Sequence, residues 1–223
     1  MKKGFWILSL ALVFFSCSSN KKAISDFKQI LGAKNSADLT KLVDYFEKQV
    51  LDKNFDSNSL SNKYTYLIQD CSEKGAIELL KNQELDFYKF KKTQMWNEVF
   101  SQVDSTWINE DGSLSVRLIY NSENGVLNNG MRGLPEKYVN NPDSLMIEAL
   151  DWEYLNHRGA YMKALEQVKN RNSFINEYYS KKTTVGDMDS RLFCDMILRD
   201  NPDFSDYFVK RIFIIELIYK YVS

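Results

Sequence analysis

Apolar residues recur at intervals of three and four along most of this chain, and that spacing restricts it to a packing of amphipathic helices. Ala23, Ile24, Phe27, Ile30 and Leu31 form a first short face. Leu39, Leu42, Val43, Phe46 and Val50 form a second behind Ser36, a residue type suited to cap the helix. The pattern continues over 60–71 with Tyr64, Leu67, Ile68 and Cys71, and beyond Gly75 with Ala76, Ile77, Leu79 and Leu80. From Leu85 to Val103 it is carried by Phe87, Phe90, Trp96, Val99, Phe100 and Val103. Behind Pro142-Asp143, Ser144 predicts the cap of a helix carrying Leu145, Ile147, Leu150 and Tyr154, with Glu148 in its early turns. Helical spacing then runs past Gly159 through Tyr161, Leu165 and Val168 to about Tyr179, in two pieces, and resumes from Arg191 to Arg199 after a loop over 183–189. The last segment, Asp206 to Val222 with Ser205 or Asp203 as cap, is apolar almost all round between Ile212 and Tyr219. That predicts a central helix, with a buried strand as the alternative for so β-branched a run.

The helical pattern breaks once, where Asp111-Gly112 stands between two alternating runs. Asp-Gly in that setting is a β-hairpin signal. A two-residue turn would set Trp107 opposite Val116 and Asn109 opposite Leu114, gathering Trp107, Leu114, Val116 and Leu118 on one face that needs helices to cover it. After it, Asn121 to Asp143 holds three Gly, two Pro and six Asn. A loop of that length is unusual in a compact domain and is either a binding loop, a surface excursion or the carrier of a further short strand after Asn124-Gly125. The expected fold is mainly α, a multi-helix domain with a small antiparallel β-hairpin near residues 105–120; the alternative is α+β.

The 223 residues carry 29 Lys+Arg against 30 Asp+Glu, a net charge of −1 that offers no general footprint for nucleic acid. A single His excludes a multi-histidine zinc site, and HExxH, GxSxG, P-loop, GxGxxG, CxxC and CxxCH motifs are all absent, so no cofactor and no metal is expected.

The N-terminus says where the chain goes. Lys2 and Lys3 precede eleven mostly apolar residues, Phe5 to Phe15, and the run stops at Ser16-Cys17-Ser18-Ser19-Asn20. Eleven residues are too few to cross a bilayer, which takes about 20, and the arrangement is that of a secretory signal peptide. Phe14-Phe15-Ser16-Cys17 resembles the lipobox of bacterial lipoprotein precursors, with Phe14 and Phe15 where the usual pattern has Leu and a small residue. The resemblance implies cleavage before Cys17 and diacylglyceryl attachment to it, so that the lipid holds the protein on a membrane face. Ser18 in place of Asp after the Cys implies outer-membrane sorting, with the domain facing the periplasm. The division expected is a signal peptide over 1–16, a lipidated Cys and short tether over 17–22, and one helical domain over 23–223. An exported location permits disulfides, and Cys71 with Cys194 can form one or remain two separate buried thiols.

For chemistry the densest constellation is Glu148, Asp151, Glu153 and His157. On a helix Glu153 and His157 would share a face, the carboxylate orienting the imidazole, and Glu148 with Asp151 could serve as acid and base in glycoside cleavage. Acidic residues on a surface helix are the simpler reading of the same spacing. Asp187 and Asp189 lack the further ligands of an EF-hand and read as the start of a capped helix. Glu216, inside the apolar last segment, has Lys220 four residues on as an ion-pair partner. Trp96, Trp107, Trp152, Tyr154, Tyr178 and Tyr179 are expected in or near the core, but exposed together they would form a sugar-stacking surface. The expected function is a lipid-anchored envelope module that binds or scaffolds through a protein partner. The alternatives are an envelope enzyme acting on glycan through these carboxylates and a non-catalytic glycan-binding lipoprotein.

Overall fold

In the computed structural model, which describes residues 20–74, 87–121, 127–134, 142–186 and 188–222, the last helix, Tyr207–Val222, runs through the middle of the molecule. Around it stand α1 (20–31), α2 (Ala33–Phe46, continued by a π turn Glu47–Leu51 and a last turn Asp52–Asn54), α3 (Leu60–Lys74), α4 (Tyr88–Lys91) and α5 (Gln94–Val99). A sheet follows, with β1 Phe100–Ile108, β2 Leu114–Asn121 and β3 Leu127–Leu134, then α6 (Pro142–Ala149) and β4 (Glu153–Leu155). The chain closes with α7 (Ala160–Val168), α8 (Ser173–Val185), α9 (Ser190–Asp200) and α10, the last helix itself. The protein is therefore mainly α with a small antiparallel sheet, as its periodicity predicts. The signal segment 1–16, Cys17 and the apolar residues 76–80 lie outside the described residues.

The central position of α10 explains its composition. Phe208, Val209, Ile212, Phe213, Ile214, Ile215 and Leu217 are all buried, because neighbours surround the helix on every side. Phe213 meets Phe46, Tyr64 and Phe204 edge-on at 6.4, 5.4 and 5.5 Å between centroids, and Tyr64 stacks on Phe204 at 4.4 Å. The cap of α10 is Asp206, whose carboxylate accepts from the amides of Phe208 and Val209 at 2.7 and 3.2 Å. Neither Ser205 nor Asp203 takes that role; Asp203 accepts instead from Ser205.

Glu216 of α10 finds partners on a neighbouring helix. Lys182 of α8, fully buried, reaches its carboxylate at 3.0 Å, and the Tyr178 hydroxyl donates to it at 2.6 Å. A buried carboxylate requires compensation, and α8 supplies it here; Lys220, the partner its spacing suggests, has its side chain outside the described residues. Burial first, and the Glu216 charge second, push the hydroxyls of Tyr178 and Tyr161 well above the usual tyrosine range.

Two helix starts differ from expectation. α1 is already helical at residue 20, so Asn20, Lys21 and Lys22 belong to a helix rather than a tether, and Arg171 donates to Asn20 Oδ1 at 2.9 Å. α2 begins at Ala33 behind Gly32, whose φ of +84° turns the chain out of α1. Ser36 lies a turn inside α2, buried, donating to the Lys28 carbonyl at 3.3 Å. Gly32 displaces it as the boundary because only glycine adopts this φ without strain.

The sheet has the order β3-β2-β1-β4, every neighbouring pair antiparallel. The hairpin forms where Asp111-Gly112 predicts it, but with a three-residue turn. Asn109 N–H donates to the Ser113 carbonyl at 2.8 Å across Glu110, Asp111 and Gly112, with Gly112 at φ +78°. The register is shifted accordingly: Trp107 faces Ser115, Thr106 faces Val116 and Ile108 faces Leu114. Ile108 therefore replaces Trp107 on the face with Val103, Leu114, Val116 and Leu118, which Leu145, Met146 and Ala149 of α6 cover. The long segment after β2 carries the further strand β3. α6 starts at Pro142, with Ser144 inside it, since proline's fixed φ suits a first helical position. The helical spacing over 85–103 resolves into α4 and α5, and Phe100 to Val103 are strand.

Candidate functional site

The carboxylates singled out in the sequence stand in different settings. Glu148 is exposed on α6, Asp151 is exposed in the following turn, Glu153 is buried in β4, and His157 is exposed in the turn beyond it. Glu153 and His157 share no helical face, because Glu153–Leu155 pairs as a strand with Phe100–Gln102. Glu153 instead receives the indole N–H of the buried Trp96 at 2.9 Å and the Lys91 ammonium at 3.2 Å. Burial raises its pKa, while Trp96 and Lys91 oppose the rise. Its geometry ties α4 and α5 to the edge of the sheet.

The aromatic residues are not gathered on the surface either: Trp96 and Tyr178 are buried, and Trp107, Trp152, Tyr154 and Tyr179 are half-buried. Asp189 caps α9, accepting from Arg191 N–H at 2.8 Å; Asp187 lies outside the described residues. Cys71 and Cys194 face one another between α3 and α9 as buried thiols. Contact with Cys71 and then burial push the Cys194 thiol up.

Besides an apolar hollow of about 300 Å³ lined by Leu42, Tyr45, Phe87 and Phe90, two larger concave surfaces open among the described residues. The first is a cleft of about 410 Å³ where the starts of α2 and α7 meet α5, within the size range of small-ligand pockets. Gly32, Ala33, Lys34 and Asn35 form one wall, Gln94 and Glu98 another, and Ala160 and Lys163 a third. No side chain caps α2. Among the described residues the amides of Ala33, Lys34 and Asn35 have no acceptor, as the first turn of an uncapped helix leaves them. Asn35 is only 6% exposed; its NH2 donates to the Leu31 carbonyl at 3.0 Å and its Oδ1 has no donor.

The other walls are held rigidly. Glu98 accepts from the Ala160 amide at 2.8 Å, capping α7 across the chain, and Asn156 donates to the Asn97 carbonyl at 2.9 Å. Gly159 passes so close to α5 that a Cβ there would collide with the Glu98 carbonyl. Sequence reasoning missed Asn35, Glu98 and Lys163. Their signal is non-local, since each matters only once α5 and α7 are brought to the start of α2.

The second surface is a groove of about 560 Å³ between α8 and α9, lined by Val185, Met188, Leu192 and Met196. Val185 and Leu192 are 66% and 65% exposed. Its polar lining sets Lys181 and Arg199, both bound to Glu177 at 2.7 and 2.6 Å, beside Asp189 and Asp195. Arg199 and Lys181 together hold the Glu177 carboxyl down to about 2. Among the described residues no helix is long and apolar enough to cross a membrane, and no group of His, Cys, Asp and Glu is placed to hold a metal ion. No protein-family model, curated protein or solved structure matches the chain.

Proposed function

We propose that this chain is a lipid-anchored module of the bacterial cell envelope, held on the periplasmic face of the outer membrane through Cys17, that binds a protein partner in the groove between α8 and α9. The observation that carries the reading is the pair of aliphatic side chains, Val185 and Leu192, left two-thirds exposed over the buried Met188 and Met196. Apolar surface of this kind marks contact sites on soluble domains. A groove between two helices takes an amphipathic helix, whose apolar stripe would cover Val185 and Leu192. The mixed charges of Lys181, Arg199, Asp189 and Asp195 suit a partner helix flanked by charges of both signs. The commitment of the buried Glu153 to Trp96 and Lys91, with Glu148, Asp151 and His157 exposed, favours this reading over a glycan-cleaving enzyme.

Site-specific photo-cross-linking in intact cells tests it, with the photoreactive residue at Leu192 and, as a control, at the exposed Gln167 of α7. The expected result is one near-stoichiometric protein adduct from position 192 alone, lost in Val185→Asp and in Cys17→Ala, the latter leaving the membrane fraction. Identical adducts from 192 and 167, or none from 192, would overturn the groove. Membrane retention of a normally processed Cys17→Ala protein would overturn the anchor.

A further inference from the structure

We propose that Cys71 and Cys194 are joined, once the chain has left the cytoplasm, in a disulfide that staples α9 to α3 behind the groove. The staple rests on the proposed export of the chain, because dithiols stay reduced in the cytosol and disulfides persist in the envelope.

α3 and α9 make the most extensive helix–helix contact among the described residues. Two consecutive residues of α3 meet two consecutive residues of α9 there. The Ser72 hydroxyl donates to the Asp195 carboxylate, and beside that pair the Cys71 and Cys194 thiols are in hydrogen-bonding contact. The Cys71 thiol also donates to the Ser190 carbonyl, one turn before Cys194, at 3.5 Å. Both cysteines are fully enclosed by the core. The fold thus brings the two sulfurs together before any bond exists between them. The cysteine count agrees, since the chain has three. With Cys17 carrying the lipid on its sulfur, Cys71 and Cys194 are each other's only partners within the chain.

The step is a thiol–disulfide exchange, with an oxidised dithiol protein of the envelope as electron acceptor. One cysteine, as thiolate, attacks a sulfur of the acceptor's disulfide, forming a mixed disulfide and releasing the acceptor's other sulfur as thiolate. The second cysteine, deprotonated in turn, attacks the first one's sulfur. The Cys71–Cys194 bond forms, the mixed disulfide breaks, and the acceptor leaves as a dithiol with two electrons and the two protons lost by the cysteines. Exchange belongs to the folding chain. In the folded one, contact with Cys71 and then burial push the Cys194 thiol up, so little thiolate is present to react. The same enclosure shields the finished bond from reductants. Its effect falls on the groove. Leu192 and Met196, two residues before and two after Cys194, line the groove. Two steps along a helix turn by about 200°, so Cys194 lies on the far face of α9. A bond there fixes the groove's wall from behind and leaves its apolar surface free.

The test starts from the full-length lipidated chain in detergent micelles, unfolded in urea with reductant and refolded in buffers of stepped oxidised-to-reduced glutathione ratio. Free thiols are trapped by acid and alkylation, and linked peptides are identified by mass spectrometry. The expected main product is a Cys71–Cys194 peptide, from a protein that keeps the bond in excess dithiothreitol while folded and loses it in urea. From residue 71 to residue 194 the bond closes a loop of more than a hundred residues. The linked form is therefore expected to have an unfolding constant about a hundred- to a thousandfold below that of the reduced form. Comparing oxidised with reduced protein requires no substitution at either core position. The staple is overturned by free thiols after refolding in oxidised glutathione, by glutathione left on either cysteine in place of the link, or by a linked form no more stable than the reduced one. In intact cells, acid trapping should give the same linked peptide from the processed protein and free thiols from the uncleaved precursor. Free thiols in the processed protein would overturn the staple as well. If the chain is recovered only uncleaved, it is the export that fails, and the refolding result alone decides whether the two cysteines pair.

Discussion

Glu153 gives the fold a measurable pH signature. Its carboxyl is raised by burial more than Trp96 and Lys91 lower it, so the folded chain holds that proton more tightly than the unfolded chain does. For an acid raised on folding, the contribution favours the native state at low pH. It is lost as pH rises from the ordinary glutamate value of 4.5 through the higher folded value, and is constant above that. Glu153→Gln has no such dependence, and its amide oxygen can still accept from Trp96. The variant is therefore expected to gain stability relative to the wild type as pH rises through that window, read from urea midpoints at a series of pH values; a constant gap would show that the carboxyl is not raised. None of this was legible beforehand. The sequence places Glu153 four residues from His157 and invites a helical pair, whereas the partners that matter, Trp96 and Lys91, come from some sixty residues away.

The hairpin separates what an element's sequence settles from what it leaves open. Asp-Gly between alternating runs identifies the turn, and the strands form on both sides of it. Which residues sit opposite one another depends on whether Glu110 joins the strand or the turn, and nothing in the alternation decides that. In the structure Asp111 accepts from the Ser113 amide at 2.9 Å, stabilising a longer turn and exchanging Ile108 for Trp107 on the covered face. Gly112, at φ +78°, takes the left-handed position in this turn. Gly112→Ala is expected to destabilise the protein by about 1 kcal/mol, and Gly112→Asn by less, in thermal or urea unfolding. Equal stability of all three would mean that the turn is of another kind. β4 lay beyond sequence reasoning altogether: three residues have no periodicity to read, and Glu153–Leu155 becomes a strand only because the edge of β1 is there to pair with.

For the molecule as a whole, the decisive contacts join elements far apart in the chain. Helical spacing and the apolar run at 212–219 identified the centre of the fold correctly, because a helix surrounded by others must be apolar on every side. They could not reveal that Lys182 crosses from α8 to Glu216 in the interior. Removing one member of a buried pair leaves the other's charge uncompensated, so Lys182→Met and Glu216→Gln are each expected to cost about 3–5 kcal/mol in urea unfolding. The double variant Lys182→Met/Glu216→Leu should be more stable than either single change; strictly additive losses would mean that the two side chains act independently. The early start of α1 bears on reach. Asn20 is already helical and held by Arg171, so a lipid on Cys17 leaves only three residue steps, ~10 Å when fully extended, between the bilayer and the body of the protein. If Cys17 carries the proposed lipid, a module on so short a leash stays within a thin layer along one membrane, where confinement to two dimensions raises the local concentration of any neighbour sharing that surface, so a modest affinity is enough for lasting company.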